Sequence, residues 1–382
     1  MLADRRPVTA SLGAYIHAPF CAKRCGYCAF NTAPWEPAAM ARYVRAVMRE
    51  MDLAGTVAWT PDVPVHSIFL GGGTPSLLAA DDMSAILDRL RRRFRVLHDA
   101  EITVECNPES VTRVKLEAYR RAGVNRISLG VQAVDDQVLE RLGRLHGAAA
   151  ARAAFDAARE AGFGNVSVDL MYGLPGVERD DWRHGVETVL AWAPEHLSAY
   201  GLSLDPGSLW GASGVDGLPA EDAVVAQYWT LVSMARDHGF EHYEVSNYAR
   251  PGYRSRHNLT YWRRGEYLAF GPGAAGFVAD VRWANVKPVP RYCSETEAGR
   301  LPVDTCERLT DRQALAERLI LGLRVADGVP ASWLEERATG DGQLRTRIDW
   351  WQARGLLVFD NDRVRLTEEG YLLSDALFID LL

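Results

Sequence analysis

The sequence predicts an α/β fold, in which a partial, TIM-like (β/α)6 barrel precedes a smaller, winged-helix-like α+β domain. Six short apolar segments alternate with amphipathic helical segments in the first two thirds of the chain. Repeats of strand, helix and strand form parallel strands with right-handed crossovers. The length of 382 residues exceeds one small domain and suits a barrel with an appended unit.

We place the barrel in residues 1–250. Its strand candidates begin at Tyr15, Val65, Glu101, Arg126, Asn165 and His196. The helix candidates between them are Pro37 to Leu53, Asp81 to Phe94, Val111 to Ala122, Ala148 to Ala161 and Trp182 to Trp192. In such barrels the catalytic and ligand-binding residues lie at the C-terminal ends of the strands. Polar residues there are therefore the first candidates for a site.

The amino-acid composition of the sequence changes after the barrel. Residues 251–305 are rich in glycine, aromatic and basic residues, and we expect a connecting segment of loop with short elements. Residues 306–382 contain two helix candidates, Asp311 to Leu323 and Arg345 to Ala353, followed by two β-like runs around an Asn-Asp turn. Helices followed by a hairpin favour the winged-helix-like domain.

Charge and hydropathy argue against nucleic-acid binding and against a membrane-spanning segment. The chain has 43 basic and 50 acidic residues and a net charge of −7, which does not favour nucleic-acid binding. No apolar run reaches the ~18 residues of a membrane span, and the N-terminus lacks the apolar stretch of a secretory signal. We therefore expect a cytoplasmic protein, where clustered cysteines bind metal more often than they form disulfides.

Three of the six cysteines form a C-x3-C-x2-C cluster at Cys21, Cys25 and Cys28. A disulfide would leave an odd thiol, and a structural zinc site needs four ligands. Three thiolates on one loop suit a cubane iron–sulfur cluster with one iron free to chelate a small molecule. The other three cysteines are scattered and are not assigned to metal.

The segment CAKRCGYC, directly after the first predicted strand, resembles the signature of the radical S-adenosylmethionine (SAM) superfamily. The resemblance implies a 4Fe–4S cluster whose open iron is chelated by SAM. It also implies that one electron from the cluster splits SAM into methionine and a 5′-deoxyadenosyl radical, the protein supplying placement. The similarity runs from about Tyr15 to the C-terminus.

The segment FLGGGTPS follows the second strand and lacks the features of a phosphate-binding loop. The resemblance places Gly72, Gly73 and Thr74 at the methionine end of SAM, where glycines permit close approach of the backbone. Four further polar residues near strand ends and two tyrosines beside the cysteine loop match SAM-binding positions of the oxygen-independent coproporphyrinogen III oxidase group. They are Tyr15, Tyr27, Glu105, Gln132, Arg144 and Asp169. Carboxylates accept hydrogen bonds from ribose hydroxyls, and arginine pairs with a carboxylate.

Two features distinguish the chain from the oxidase and make it similar to the sister group, the HemW-type haem chaperones. The oxidase has a further cysteine where this chain has Phe30, and it has a longer N-terminal arm than the 20 residues before Cys21. The segment HNLTYW also resembles the haem-binding motif of the sister group, which implies cofactor-binding roles for His257, Asn258, Tyr261 and Trp262.

The chemistry of that motif suits haem. A neutral imidazole ligates haem iron, and aromatic rings offer flat apolar surface. Nearby guanidinium groups could pair with propionates; they are Arg254, Arg256, Arg263 and Arg264. The family usually has a histidine soon after the glycines of the next segment, where this chain has Ala275 and Gly276.

The leading hypothesis is a protein that binds haem and transfers it to acceptor haemoproteins, with the cluster and SAM regulating assembly or transfer. The alternative is a radical SAM enzyme of the same group: a coproporphyrinogen III dehydrogenase, a methyltransferase or a cyclopropanating enzyme. No catalytic residue is assigned, and cleavage of SAM stays open. The expected partners are haem, its acceptors and a reductant for the cluster. A homodimer and peripheral contact with membrane haemoproteins stay open.

Overall fold

The computed structural model describes residues 7–57, 60 and 62–381. The strands are β1 (Leu12–Ala18), β2 (Phe20–Cys21), β3 (Ala33–Pro34), β4 (Pro64–Gly72), β5 (Arg95–Cys106), β6 (Arg126–Gln132), β7 (Val166–Tyr172), β8 (His196–Gly201), β9 (Glu241–Glu244), β10 (Asn247–Ala249), β11 (Tyr267–Phe270), β12 (Ala275–Val278), β13 (Val281–Asn285), β14 (Val303–Arg308), β15 (Val329–Pro330), β16 (Leu357–Asp360) and β17 (Arg363–Leu366).

The α-helices are α1 (Pro37–Ala54), α2 (Ala80–Arg93), α3 (Arg113–Arg121), α4 (Asp136–Leu142), α5 (Ala148–Glu160), α6 (Arg179–Leu190), α7 (Leu209–Ser213), α8 (Glu221–Asp237), α9 (Arg256–Trp262), α10 (Val289–Glu297), α11 (Asp311–Gly322), α12 (Ala331–Arg337), α13 (Gly342–Ala353), α14 (Glu368–Leu372) and α15 (Ser374–Leu381). Two short 3-10 helices are Pro75–Leu77 and Pro108–Ser110. No helix of these ranges is long and apolar enough to cross a membrane.

The predicted fold class is confirmed. Strands β1 and β4 to β8 pair in parallel in chain order, and helices fill the crossovers. They form the centre of a 12-stranded sheet in the order β14-β13-β12-β11-β1-β4-β5-β6-β7-β8-β10-β9. Because the edge strands β14 and β9 do not pair with each other in the described part of the chain, the sheet does not close into a complete barrel.

The first crossover helix shows how the sequence directs this packing. Pro37 occupies the first turn of α1, where its missing N–H costs no hydrogen bond. Along α1, Tyr43, Val44, Val47 and Met51 recur at helical spacing and are all buried. This apolar stripe fixes α1 against the sheet, and the same pattern recurs in the other crossover helices.

The segment after the barrel strands is more ordered than expected. The expectation was loop with short elements; residues 251–305 contain α9, the complete strands β11 to β13, α10 and the start of β14. Strand β11 pairs in parallel with β1, and β12 and β13 extend the sheet as an antiparallel hairpin. Each of these strands has four or five residues. Runs so short carry little periodic signal, which is why the sequence did not reveal them.

The C-terminal domain has its own apolar core and the expected hairpin. Strands β16 and β17 pair around Asn361, which adopts φ +55°, and β15 adds a third strand. A separate hydrophobic cluster, which includes Trp351 and Phe378, lies between this sheet and the helices. The domain contacts the barrel through several bonds, among them Tyr228 Oη to the carbonyl of Glu368 at 2.8 Å.

Candidate functional site

A cavity of about 410 Å³ opens at the C-terminal ends of the parallel strands. This volume lies in the range of about 300–1,000 Å³ that small-ligand sites occupy. Twelve of the residues that the sequence singled out line it together. They are Cys21, Cys25, Tyr27, Cys28, Gly72, Gly73, Thr74, Glu105, Gln132, Arg144, Asp169 and Asn258. Tyr15 does not line the cavity. Its ring stacks on the ring of the lining residue Phe69, with 6.3 Å between the ring centroids.

The three cysteines occupy one loop that polar contacts hold in place. Thr74 Oγ1 donates to Cys21 Sγ at 3.6 Å, and Arg144 Nη1 donates to Cys25 Sγ at 3.8 Å. Arg24 donates from two nitrogens to the carbonyl of Cys28, at 3.2 and 3.0 Å. Burial raises the pKa of the Cys21 thiol to about 11. A metal bound at this position would deprotonate the thiol outright.

The donor set fits a cubane cluster. Cys21, Cys25 and Cys28 are all free thiols that are partly exposed to the same cavity. Across the described part of the chain, no three His, Cys, Asp or Glu side chains converge closely enough to hold one metal ion. Cysteine thiolates are the usual ligands of Fe–S clusters, and these three lie on one loop at the cavity.

The glycines after β4 let the backbone form a close-fitting edge of the cavity. Gly72 has φ +115°, a conformation that side chains disfavour, and its N–H donates to Glu105 Oε2 at 3.0 Å. A Cβ on Gly73 would stand 2.7 Å from the carbonyl oxygen of Phe20. The loop after β1 and the loop after β4 thus touch, which brings the cysteines next to the glycine segment.

Two buried carboxyl groups and a buried guanidinium lie deeper in the cavity. Burial, and secondarily the charge of Asp169, raises the pKa of Glu105 to about 8. Burial likewise raises the pKa of Asp169, which accepts from Ser128 Oγ at 2.9 Å. Arg126 is 2 % exposed, and its Nε has no hydrogen-bond partner in the structure. Because Arg126 lines the cavity, its guanidinium is available to pair with a polar ligand there.

Gln132 ends β6 in a strained conformation. Its φ is +69°, and the β6–β7 register shifts between Gly130 and Gln132. Left-handed backbone at a residue other than glycine costs about 1–3 kcal/mol and concentrates at functional sites. The bulge directs Gln132 into the cavity beside Arg144, which donates to the carbonyl of Gly130 at 2.8 Å.

The residues of the HNLTYW segment lie on α9, which packs against β4. His257 is fully buried; its Nδ1 lies 3.0 Å from Ser67 Oγ and its Nε2 lies 2.8 Å from Tyr261 Oη. Phe69 stacks on its ring at 5.2 Å. Burial lowers the pKa of His257 to about 3, so the imidazole is neutral. Only Asn258 of the motif reaches the cavity, whereas Trp262 lines a separate groove.

The four arginines near the motif already have carboxylate partners. The pairs are Arg254 with Glu241 and Asp327, Arg256 with Asp99, Arg263 with Asp327, and Arg264 with Asp280 and Glu317. The side chains of Arg256 and Arg263 remain substantially exposed, so these ion pairs contribute little and can exchange partners.

Sequence reasoning missed several lining residues, among them Asn107, Arg126, Ser128, Ser198 and Tyr200. Asn107 accepts from Arg144 Nη2 at 2.9 Å and donates to Thr74 at 3.2 Å, so it connects two predicted residues. The available signal was the alternation along the strands. Ser128 on β6 and Ser198 on β8 face the barrel interior, because side chains two apart share a face.

The comparisons with known proteins agree on one family. The Radical SAM superfamily model matches residues 15–189, and the HemN C-terminal domain model matches residues 309–373. The chain is 40% identical over 378 residues to the heme chaperone HemW of Escherichia coli K12, covering 96% of this chain and 97% of the relative.

Two further relatives and a solved structure agree. HemW of Mycobacterium tuberculosis H37Rv is 37% identical, covering 97% of this chain and 94% of the relative. The mouse mitochondrial radical S-adenosyl methionine domain-containing protein 1 is 34% identical, covering 100% and 92%. The structure titled coproporphyrinogen III oxidase (HemN) from Escherichia coli, a radical SAM enzyme, superimposes with a TM-score of 0.87 at 22% identity, covering 100% and 92%. That likeness establishes the fold.

Proposed function

The chain belongs to the HemW family of the radical SAM superfamily, and from this premise we propose that it binds haem and transfers it to acceptor haemoproteins. The observation that carries the proposal is the 35–40% identity, over 96–97% of this chain, to bacterial proteins named heme chaperones. The cavity supports the part of the proposal that concerns the cluster and SAM.

In this proposal, Cys21, Cys25 and Cys28 hold a 4Fe–4S cluster and the remaining lining residues hold SAM. Once bound, such a cluster would supply one electron and a Lewis-acidic iron to SAM. Arg144 contributes positive charge beside the cysteine loop. Glu105 and Asp169 offer acceptors for hydroxyl groups deeper in the cavity. The glycine edge excludes water from one side of the ligand.

Phe30 favours the chaperone over the dehydrogenase. It lies at the rim of the cavity, is 66% exposed and offers no ligand, at the position where the oxidase has a further cysteine. A chaperone need not carry out decarboxylation, so it tolerates an apolar residue here. The acceptors are haemoproteins of the compartment in which the chain resides, which we propose is the cytoplasm, and a cellular reductant serves the cluster.

The test is a haem titration of the anaerobically reconstituted full-length protein, with a parallel assay for SAM cleavage. We expect a saturable change in the Soret band and transfer of the bound haem to an added apo-haemoprotein. Absence of any saturable binding would contradict the proposal. Conversion of coproporphyrinogen III to protoporphyrinogen IX, with 5′-deoxyadenosine as a second product, would establish the dehydrogenase instead.

A further inference from the structure

A groove of about 470 Å³ separates α9 from the C-terminal domain. Trp262, the last residue of the HNLTYW segment, lines one side, and Trp333 of α12 lines another. Three guanidinium groups border the groove, those of Arg263, Arg318 and Arg363. We name it the interdomain groove. Its volume lies within the range of small-ligand sites.

The charge of the interdomain groove is incompletely neutralised. Arg318 lies over the Trp333 ring at 5.9 Å, and among the residues that the structure describes no carboxylate comes within ion-pair distance of it. Arg363 donates only to backbone carbonyls, those of Asp327 and Gly328, at 2.8 and 2.5 Å. Asp327, which pairs with Arg263, is the one carboxylate in the lining. The lining therefore carries a net charge of about +2.

By contrast, the imidazole of His257 is not accessible to a macrocycle. Both of its ring nitrogens have hydrogen-bond partners, its side chain is fully buried, and Phe69 covers one face. Iron ligation by His257 would break two buried hydrogen bonds and open the barrel interior. Each broken buried bond costs about 1–3 kcal/mol before any ligand is gained. Trp262, at the end of α9, is partly buried but lines the groove, so contact with it requires no such opening.

We propose that the interdomain groove is the haem site, with the macrocycle in contact with Trp262 and Trp333 and the propionates paired with Arg318 and Arg363. This inference rests on the proposed function and deepens it. Aromatic rings stack on a flat apolar molecule, and guanidinium groups pair with carboxylates by two parallel hydrogen bonds. A planar molecule that bears two carboxylates at one edge satisfies both features of the groove.

The groove also determines how haem is held. Its described lining contains no His, Cys, Met or Tyr, so the iron receives no strong ligand from the protein. Stacking and carboxylate pairing then provide the affinity. Porphyrins without iron bind as haem does, and the bound iron stays accessible to an added ligand. A haem held without an iron–protein bond is released easily, which suits transfer.

The experiment titrates full-length reconstituted protein with haemin, metal-free protoporphyrin IX and protoporphyrin IX dimethyl ester. The key variant is Arg318→Glu, and its matched control is Arg312→Glu, the same change on α11 but outside the groove. Trp333→Phe tests the aromatic wall with little change in volume. His257→Gln tests ligation, and circular dichroism together with iron content verifies that each variant is folded and loaded.

We expect Arg318→Glu to weaken haemin binding at least about tenfold, since reversing the charge replaces a propionate pair with repulsion. Arg312→Glu and His257→Gln keep the affinity of the wild type. Metal-free protoporphyrin binds within about threefold of haemin, and the dimethyl ester binds at least about tenfold more weakly. Added imidazole shifts the Soret band of bound haem in every variant that binds it.

Other outcomes separate the two proposals. Wild-type protein that binds no porphyrin refutes the proposed function itself. Wild-type binding that is unchanged in Arg318→Glu, or lost in a folded His257→Gln, refutes the groove and leaves the chaperone function standing. Binding of haemin without binding of metal-free protoporphyrin also refutes the groove, because it shows that the iron is ligated by the protein.

Discussion

Glu50 provides a quantitative test of how the segment after the barrel strands is held. It lies in α1, is buried, and accepts from three donors of that segment. They are Gly271 N at 2.8 Å, Asn285 Nδ2 at 2.6 Å and Tyr292 Oη at 2.5 Å. Among the residues that the structure describes, no cationic side chain lies within hydrogen-bond distance of it. We predict that Glu50→Gln removes a pH-dependent component of the free energy of unfolding.

The magnitude follows from the pKa of Glu50. Burial raises it from 4.5 to about 7, against the opposing effect of the three hydrogen bonds. Between these values the unfolded chain has lost the proton and the folded chain keeps it. The free energy of unfolding of the wild type therefore falls as the pH rises, by about 2.5 kcal/mol from pH 5 to pH 8 at 1.36 kcal/mol per unit of pKa. Glutamine at position 50 has no proton to lose, so the variant lacks this slope.

Urea unfolding at pH 5 and pH 8 measures the effect as the difference between wild type and Glu50→Gln at each pH. The wild type should lose about 2.5 kcal/mol relative to the variant over this range. The control is Glu297→Gln in α10, where an exposed carboxylate pairs with Arg42 and its pKa is lowered, so it stays ionised from pH 5 upwards. An equal difference at both pH values for Glu50→Gln would refute the reasoning.

Three further predictions concern the cavity. Gly73→Ala should weaken SAM binding about tenfold or more in equilibrium dialysis, because its Cβ would overlap backbone, whereas Gly164→Ala, with nothing within 4 Å, should not. Cys21→Ser should reduce iron and sulfide content after reconstitution, whereas the exposed Cys306→Ser should retain both. Because burial raises the pKa of Glu105 to about 8, affinity for the cationic SAM should increase from pH 7 to pH 9 more in wild type than in Glu105→Gln; equal increases would contradict this assignment.

The parallel strands were predictable because each is a buried apolar run between amphipathic helices. The first and last residues of these strands were harder to predict. The third strand begins at Arg95 rather than Glu101, since its polar first half pairs with the start of β4 and not with the core. The β12–β13 hairpin turns at Ala279 and Asp280, both with positive φ. An Ala-Asp turn lacks the Asn-Gly signal by which such hairpins are recognised.

The cavity residues were largely predictable and the motif helix was not. Strand ends carry polar residues that point to one edge of the sheet, so Glu105 and Asp169 could be placed together from the strand pattern. Residues 257–262 fall in a segment expected to be loop with short elements. Without a known helix, the sequence could not predict in which direction each of these side chains points. In α9 adjacent residues point about 100° apart. His257 therefore faces β4, while Asn258 faces the cavity.

Helix α9 also connects the cavity proposed for SAM with the groove proposed for haem. It is fixed at its start, where Glu101 accepts from the N–H groups of Arg256 and His257 at 3.1 and 3.0 Å. Asn258 lines the cavity proposed for SAM, and Trp262, four residues further on, lines the interdomain groove. A shift of this rigid helix alters both sites at once. Any change that SAM makes in haem affinity through α9 must equal the change that haem makes in SAM affinity, because coupling free energies are reciprocal.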